Sequence, residues 1–171
     1  MIGGFDMPQI RFTILAAVAT AALGAAVPPA LAQAVVAQKT LSLDGAQAIA
    51  QGAIEKCRAD GYHAAITILD PNGIVKVTLR DDGTSPQTLE VSRKKAYTAL
   101  IYRRPSMESM KAWAATPPIP NIEGVIAMGG GVPIKAGNDT IGAIGVSGAP
   151  GQDKDEACAN AGIAKIADKL K

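Results

Sequence analysis

The chain is poor in the residues on which most enzymes and metal centres depend. Its 171 residues include one histidine, two cysteines, one tryptophan and 4% aromatics. One imidazole and two thiols without C-x-x-C spacing do not supply the nitrogen and sulfur ligands of a zinc site. Serine chemistry fares no better. Ser147 stands in Gly145-Val146-Ser147-Gly148-Ala149, but Ala149 takes the place where a nucleophile elbow needs glycine, and His63 is the sole histidine base. Gly129-Gly130-Gly131 runs into Val132-Pro133, with neither the Lys-Ser/Thr of a phosphate loop nor a helix start behind it. Those glycines are expected to serve tight turns and close backbone approach. With no acid/base pair, metal cluster or nucleophile–base pair in sight, the sequence argues against conventional catalysis. Charge of one sign is also lacking: 17 basic and 15 acidic residues leave a net +2. Without a basic run interleaved with aromatics, nucleic acid is not the expected partner. No apolar run reaches the roughly 20 residues of a membrane span.

What is present begins with an export pattern. Arg11 precedes an apolar, alanine-rich stretch over residues 12–27, Pro28 and Pro29 break it, and Ala30-Leu31-Ala32 has the small-x-small form of a signal-peptidase site. A signal peptide over residues 1–32 is expected, cleaved after Ala32, with Met7 an equally good start. Cleavage leaves 139 of the 171 residues, enough for one domain and too few for two. Residues 33–40 read as an N-terminal extension and 41–171 as the domain, located in a periplasm or outside the cell. No membrane insertion is expected after cleavage.

Residues 41–60 have helical periodicity, with Ser42 as cap, Ala46, Ile49, Ala50, Ala53, Ile54 and Cys57 on one stripe, and Gly61 as stop. Residues 63–70 and 74–80 are β-rich and flank Pro71-Asn72-Gly73, which predicts a hairpin. A polar loop over 81–86 leads to a helix over 87–102, ended before Pro105, and a shorter helix over 106–113. Residues 116–124 contain three prolines and are loop. Strands are expected over 125–128, 132–136 and 140–147, then a final helix over 153–170, with Asp153 and Glu156 at capping-box spacing. Hairpin-linked strands with helices before and after them predict an α+β domain with a five-stranded antiparallel sheet.

Cys57 and Cys158 fall on the apolar stripes of the first and last helices. In an oxidising compartment they form a disulfide if those helices are neighbours, or remain two buried thiols if they are not. Arg80, Arg93, Lys94, Lys95, Arg103 and Arg104 make the middle of the chain basic. Such groups pair with carboxylates of a ligand, while Lys94 and Lys95 read as a solvated helix face.

The segments LRDDG, RKKAYTAL and GGGVPIKAGNDTIGAIGVSGAPGQDKDEACANAGIAKIADKL resemble the GlcG/HbpS family, which is also related to the C-terminal domain of PduO-type proteins. The resemblance covers residues 41–171. It implies a profilin-like fold, a five-stranded antiparallel sheet with helices on both faces, and a homo-oligomer. It also implies haem as ligand, sequestered or presented to a partner. The alternatives are a module for a small organic acid, or haem breakdown dependent on bound iron and peroxide. For a haem, imidazole is the commonest axial ligand, so His63 is the first metal-ligand candidate on chemical grounds. Tyr97, Tyr102, Arg103, Thr116 and Met128 complete the candidate binding set, with Met107 and Met110 as weaker ligands. Thr116 opens a proline-rich loop, and loops between rigid elements commonly carry binding residues.

Overall fold

Ser42 starts the first helix as its sequence position predicts. In the computed structural model, which describes residues 35–118 and 120–171, the Ser42 Oγ accepts the Gly45 N–H at 3.1 Å. Helix α1 covers Leu43–Ala59. Strands β1 (Ala65–Leu69) and β2 (Val75–Arg80) follow as an antiparallel hairpin. Asp70 fastens its turn by accepting the N–H groups of Asn72 and Ile74, each at 2.9 Å. Next come α2 (Gln87–Tyr102), α3 (Ser106–Ala115), β3 (Gly131–Ala136), β4 (Asp139–Ser147) and α4 (Gln152–Ala164).

The sheet has the order β2-β1-β4-β3, and every neighbouring pair is antiparallel. Among the described residues it has four strands, not the five expected. Residues 125–128 do not pair. The Ile126 N–H is taken by the Thr98 hydroxyl at 2.9 Å, so a helix side chain replaces the ladder partner that a strand would need. The last helix also departs from expectation. It starts at Gln152 behind Gly151, which gives no side-chain cap, and ends at Ala164. The early start puts Asp153 inside the first turn, so the Asp153–Glu156 capping box does not form. Its neighbour Asp155 instead accepts the Ala149 N–H at 3.0 Å.

Helices α1 and α4 pack side by side over one sheet face, covering Ile66, Ile68, Ile134, Ile144 and Val146. Cys57 and Cys158 meet there in a disulfide, with Cα atoms 5.5 Å apart across a separation of 101 residues. Helix α2 lies on the opposite face against Leu69 and Ala143. It sits very close to the sheet because Gly131 and Gly145 are cross-strand partners beneath it. A Cβ on Gly145 would lie 1.9 Å from the Ser92 carbonyl oxygen, and one on Gly131 2.0 Å from that of Lys95.

Lys95 is not on a solvated face. It is buried, and its Nζ donates to Asp155 Oδ2 at 2.7 Å and to the Val146 carbonyl at 3.1 Å. Burial pushes the Asp155 carboxyl above the usual range, with the Lys95 ammonium opposing it. Its partner lies on α4, too far along the chain for local patterning to reveal. Lys94 does face outward, 3.4 Å from Glu90. The expected signal peptide and its cleavage point lie outside the described residues. Among the described residues, no helix is long and apolar enough to cross a membrane.

Candidate functional site

His63 sits between the end of α1 and the start of β1, and Asp81 directly follows β2. The hairpin register pairs Ala65 with Arg80, and the Asp81 N–H donates to the Ala64 carbonyl at 3.1 Å. This pairing brings the Asp81 carboxylate under the His63 ring. Asp81 is buried, with a side-chain exposure of 3%, whereas the His63 side chain is 64% exposed. Arg58 grips the carboxylate through Nη2 at 2.6 Å and Nε at 3.1 Å. The Asp82 N–H donates to Oδ1 at 2.9 Å, and His63 Nδ1 lies 2.9 Å from Oδ2.

The Arg58 guanidinium holds the Asp81 carboxyl far below the ordinary aspartate range against the opposing effect of burial, with His63 and the Asp82 N–H adding to it. An ionised carboxylate only accepts hydrogen bonds, so His63 Nδ1 carries a proton. In the neutral ring Nε2 is then left with its lone pair. A carboxylate or carbonyl on the far nitrogen is how metal-bound imidazoles are commonly oriented and made more basic. The ring borders a groove of about 600 Å³ that is also lined by Tyr62, Thr84, Ser85, Thr88 and Pro150. Thr84 Oγ1 is buried beside it and has no hydrogen-bond partner among the described residues.

The other sequence candidates do not gather around His63. Tyr97 and Arg103 line a separate cavity of about 520 Å³ with Asn72 and Asn138. That cavity is at the C-terminal end of α2 and the His63 groove at its N-terminal end, about 20 Å apart at the helical rise. Tyr102 packs edge-on against Trp113 with ring centres 5.0 Å apart, and the Arg104 guanidinium lies 5.9 Å from the Tyr102 ring centre. Thr116 is exposed at the C-terminal cap of α3, and Met128 is half-buried ahead of Gly129. Met107 packs against Gly129. Among the described residues, no group of three or more His, Cys, Asp or Glu side chains is placed to hold a metal ion.

Sequence reasoning placed Asp81 in a polar loop and gave Arg58 no role. The β2 pattern runs straight into Asp81-Asp82, but nothing local tells which of the two is buried. The signal that could have found it is the hairpin register, since extending it by one residue sets Asp81 beside Ala64.

These features define an α+β domain whose antiparallel sheet lies between helices and whose sheet end carries one carboxylate-anchored imidazole at a groove. Residues 41–164 match the family described as Haem degrading protein HbpS-like, and the chain belongs to that family. No functionally curated protein matches it. Among solved structures it is similar to HbpS, with 37% identity over 77% of this chain and 93% of that one, at a TM-score of 0.74. ORFY from Klebsiella pneumoniae has 22% identity over 80% of this chain and 97% of its own, at a TM-score of 0.74. PduOC, solved as a haem complex, has 24% identity over 74% and 95%, at a TM-score of 0.68. The last two likenesses are of fold.

Proposed function

We propose that this chain is an exported haem-binding protein and that His63 would hold the haem iron through Nε2. The observation that carries the assignment is the 2.9 Å contact between His63 Nδ1 and the buried Asp81 carboxylate. It leaves an exposed, oriented imidazole with a free lone pair at a groove of cofactor size. Membership of a family described as haem degrading, and the haem complex of the similarly folded PduOC, support haem as the ligand. In this reading Asp81 keeps the proton on Nδ1 and fixes the ring, Arg58 keeps Asp81 ionised, and Tyr62 and Pro150 give the groove its apolar wall.

The bound group would supply the redox and peroxide chemistry of its iron. The family description favours breakdown of haem as a second reading. It predicts that peroxide bleaches the porphyrin band of the complex faster than that of free haem, and an equal rate would contradict it. Export is supported by the N-terminal pattern and by the disulfide, which belongs to an oxidising compartment. Mass spectrometry of the secreted protein is expected to find Gln33 as its first residue. The family resemblance also favours a homo-oligomer, which light scattering would detect as a mass above that of one chain.

Haem binding itself is tested by spectral titration of the apoprotein. A saturable Soret shift at one haem per chain is expected. A band that grows without saturation at micromolar haem would overturn the proposal.

A further inference from the structure

The ring of Tyr62, which lines the groove beside the imidazole, carries a lysine in an unusual setting. Lys154 occupies the first turn of α4, where the partial positive charge of the helix end disfavours a cation. Its Nζ lies 5.6 Å from the centre of the Tyr62 ring, within the range of a cation–π contact. It makes no ion pair among the described residues. Asp153 and Asp155 flank it in sequence, but Asp155 is committed to Lys95 at 2.7 Å. Tyr62 immediately precedes His63, and both line the same groove, together with Pro150 at the entrance to α4. The groove's aromatic wall thus backs onto a free ammonium and the positive end of a helix. Each of the last two favours an anionic group at that end of the groove, and the ring favours a flat apolar body lying against it.

We infer that Lys154 and Tyr62 fix which way a porphyrin lies in the groove, Lys154 by pairing with a propionate carboxylate and Tyr62 by covering the macrocycle face or edge nearest to it. This rests on the haem reading above and adds to it the polarity of the site: iron toward His63, carboxylates toward the start of α4. Arg58 is not available for the same task, because its guanidinium is held by Asp81. The far cavity has an aromatic and a cation of its own in Tyr97 and Arg103, but no imidazole lines it.

The test compares haem with its dimethyl ester, in which both propionates are neutral, on the full mature protein and on its Lys154→Gln variant. Lys154 is exposed, so the variant is expected to fold, and a circular dichroism melt checks this. The unaltered protein is expected to bind haem about tenfold more tightly than the ester, the worth of one charge-assisted pair. Lys154→Gln is expected to abolish that preference while leaving the Soret maximum of the haem complex in place, because His63 is untouched. Tyr62→Leu is expected to weaken haem and ester by the same factor. A preference that survives Lys154→Gln, or the absence of one in the unaltered protein, would overturn the assignment and leave haem binding standing. Failure of both porphyrins to saturate the unaltered protein would overturn the assignment and the haem reading together.

Discussion

At Asp81 one carboxylate serves Arg58, His63 and the Asp82 N–H, so its replacement unsettles the site and the hairpin end together. Asp81→Asn is expected to lower unfolding stability in urea by about 1–3 kcal/mol at neutral pH, the range for hydrogen bonds made to a charged group. The pH dependence has a fixed sign. Arg58 holds the folded carboxyl below its ordinary value, so the native state stays ionised where the unfolded chain takes up a proton. The contribution is therefore complete above about pH 4 and declines as pH falls below it. The stability gap between unaltered protein and variant should narrow on acidification, and a gap constant from about pH 2 to 7 would contradict the account. His63 was legible in the sequence as the lone imidazole after a helix stop. Its orientation was not, because it depends on a residue 18 positions away.

Among the elements, α2 carries the least compromise. Its backbone presses on Gly131 and Gly145, and Lys95 passes from it to Asp155 on α4. Gly145→Ala forces a methyl group into the Ser92 carbonyl, 1.9 Å away, and is expected to cost at least the roughly 1–3 kcal/mol of overpacking. Lys95→Met leaves the Asp155 carboxylate buried without its cation and is expected to cost about 3–5 kcal/mol. Adding Asp155→Asn should recover most of that loss, because the amide oxygen can still accept the Ala149 N–H. No recovery in the double variant would show that Lys95 acts through packing alone. Periodicity located α1, α2 and the β1–β2 hairpin well, since Ser42 and an apolar stripe mark α1, Pro71-Asn72-Gly73 marks the hairpin and Pro105 bounds α2. It misplaced residues 125–128 because an apolar tetrapeptide looks like a strand whether its N–H bonds to a neighbouring strand or to Thr98. It also read Lys95 as solvated, because a lysine on a buried stripe becomes intelligible only beside Asp155.

For the molecule as a whole, the order of elements gave the α+β class and the helices on both faces, while the sheet order β2-β1-β4-β3 came only with the structure. The disulfide ties α1 to α4 across nearly the full length of the domain. Replacing Cys57 and Cys158 by alanine is expected to reduce stability by about 2–5 kcal/mol, the range for a loop of this size. Denaturation with and without reductant measures it, and identical midpoints would contradict a formed bridge. The candidate residues proposed from sequence did not gather in one place, His63 lining one groove and Tyr97 and Arg103 another, because helical spacing does not tell where along the fold a side chain emerges. Ligation of haem by His63 is best examined by titrating haem into the protein, His63→Ala and Tyr97→Phe in parallel. A saturable Soret shift is expected in the unaltered protein and in Tyr97→Phe, with His63→Ala weakened about tenfold or more and its band displaced. An unchanged band and affinity in His63→Ala would contradict it.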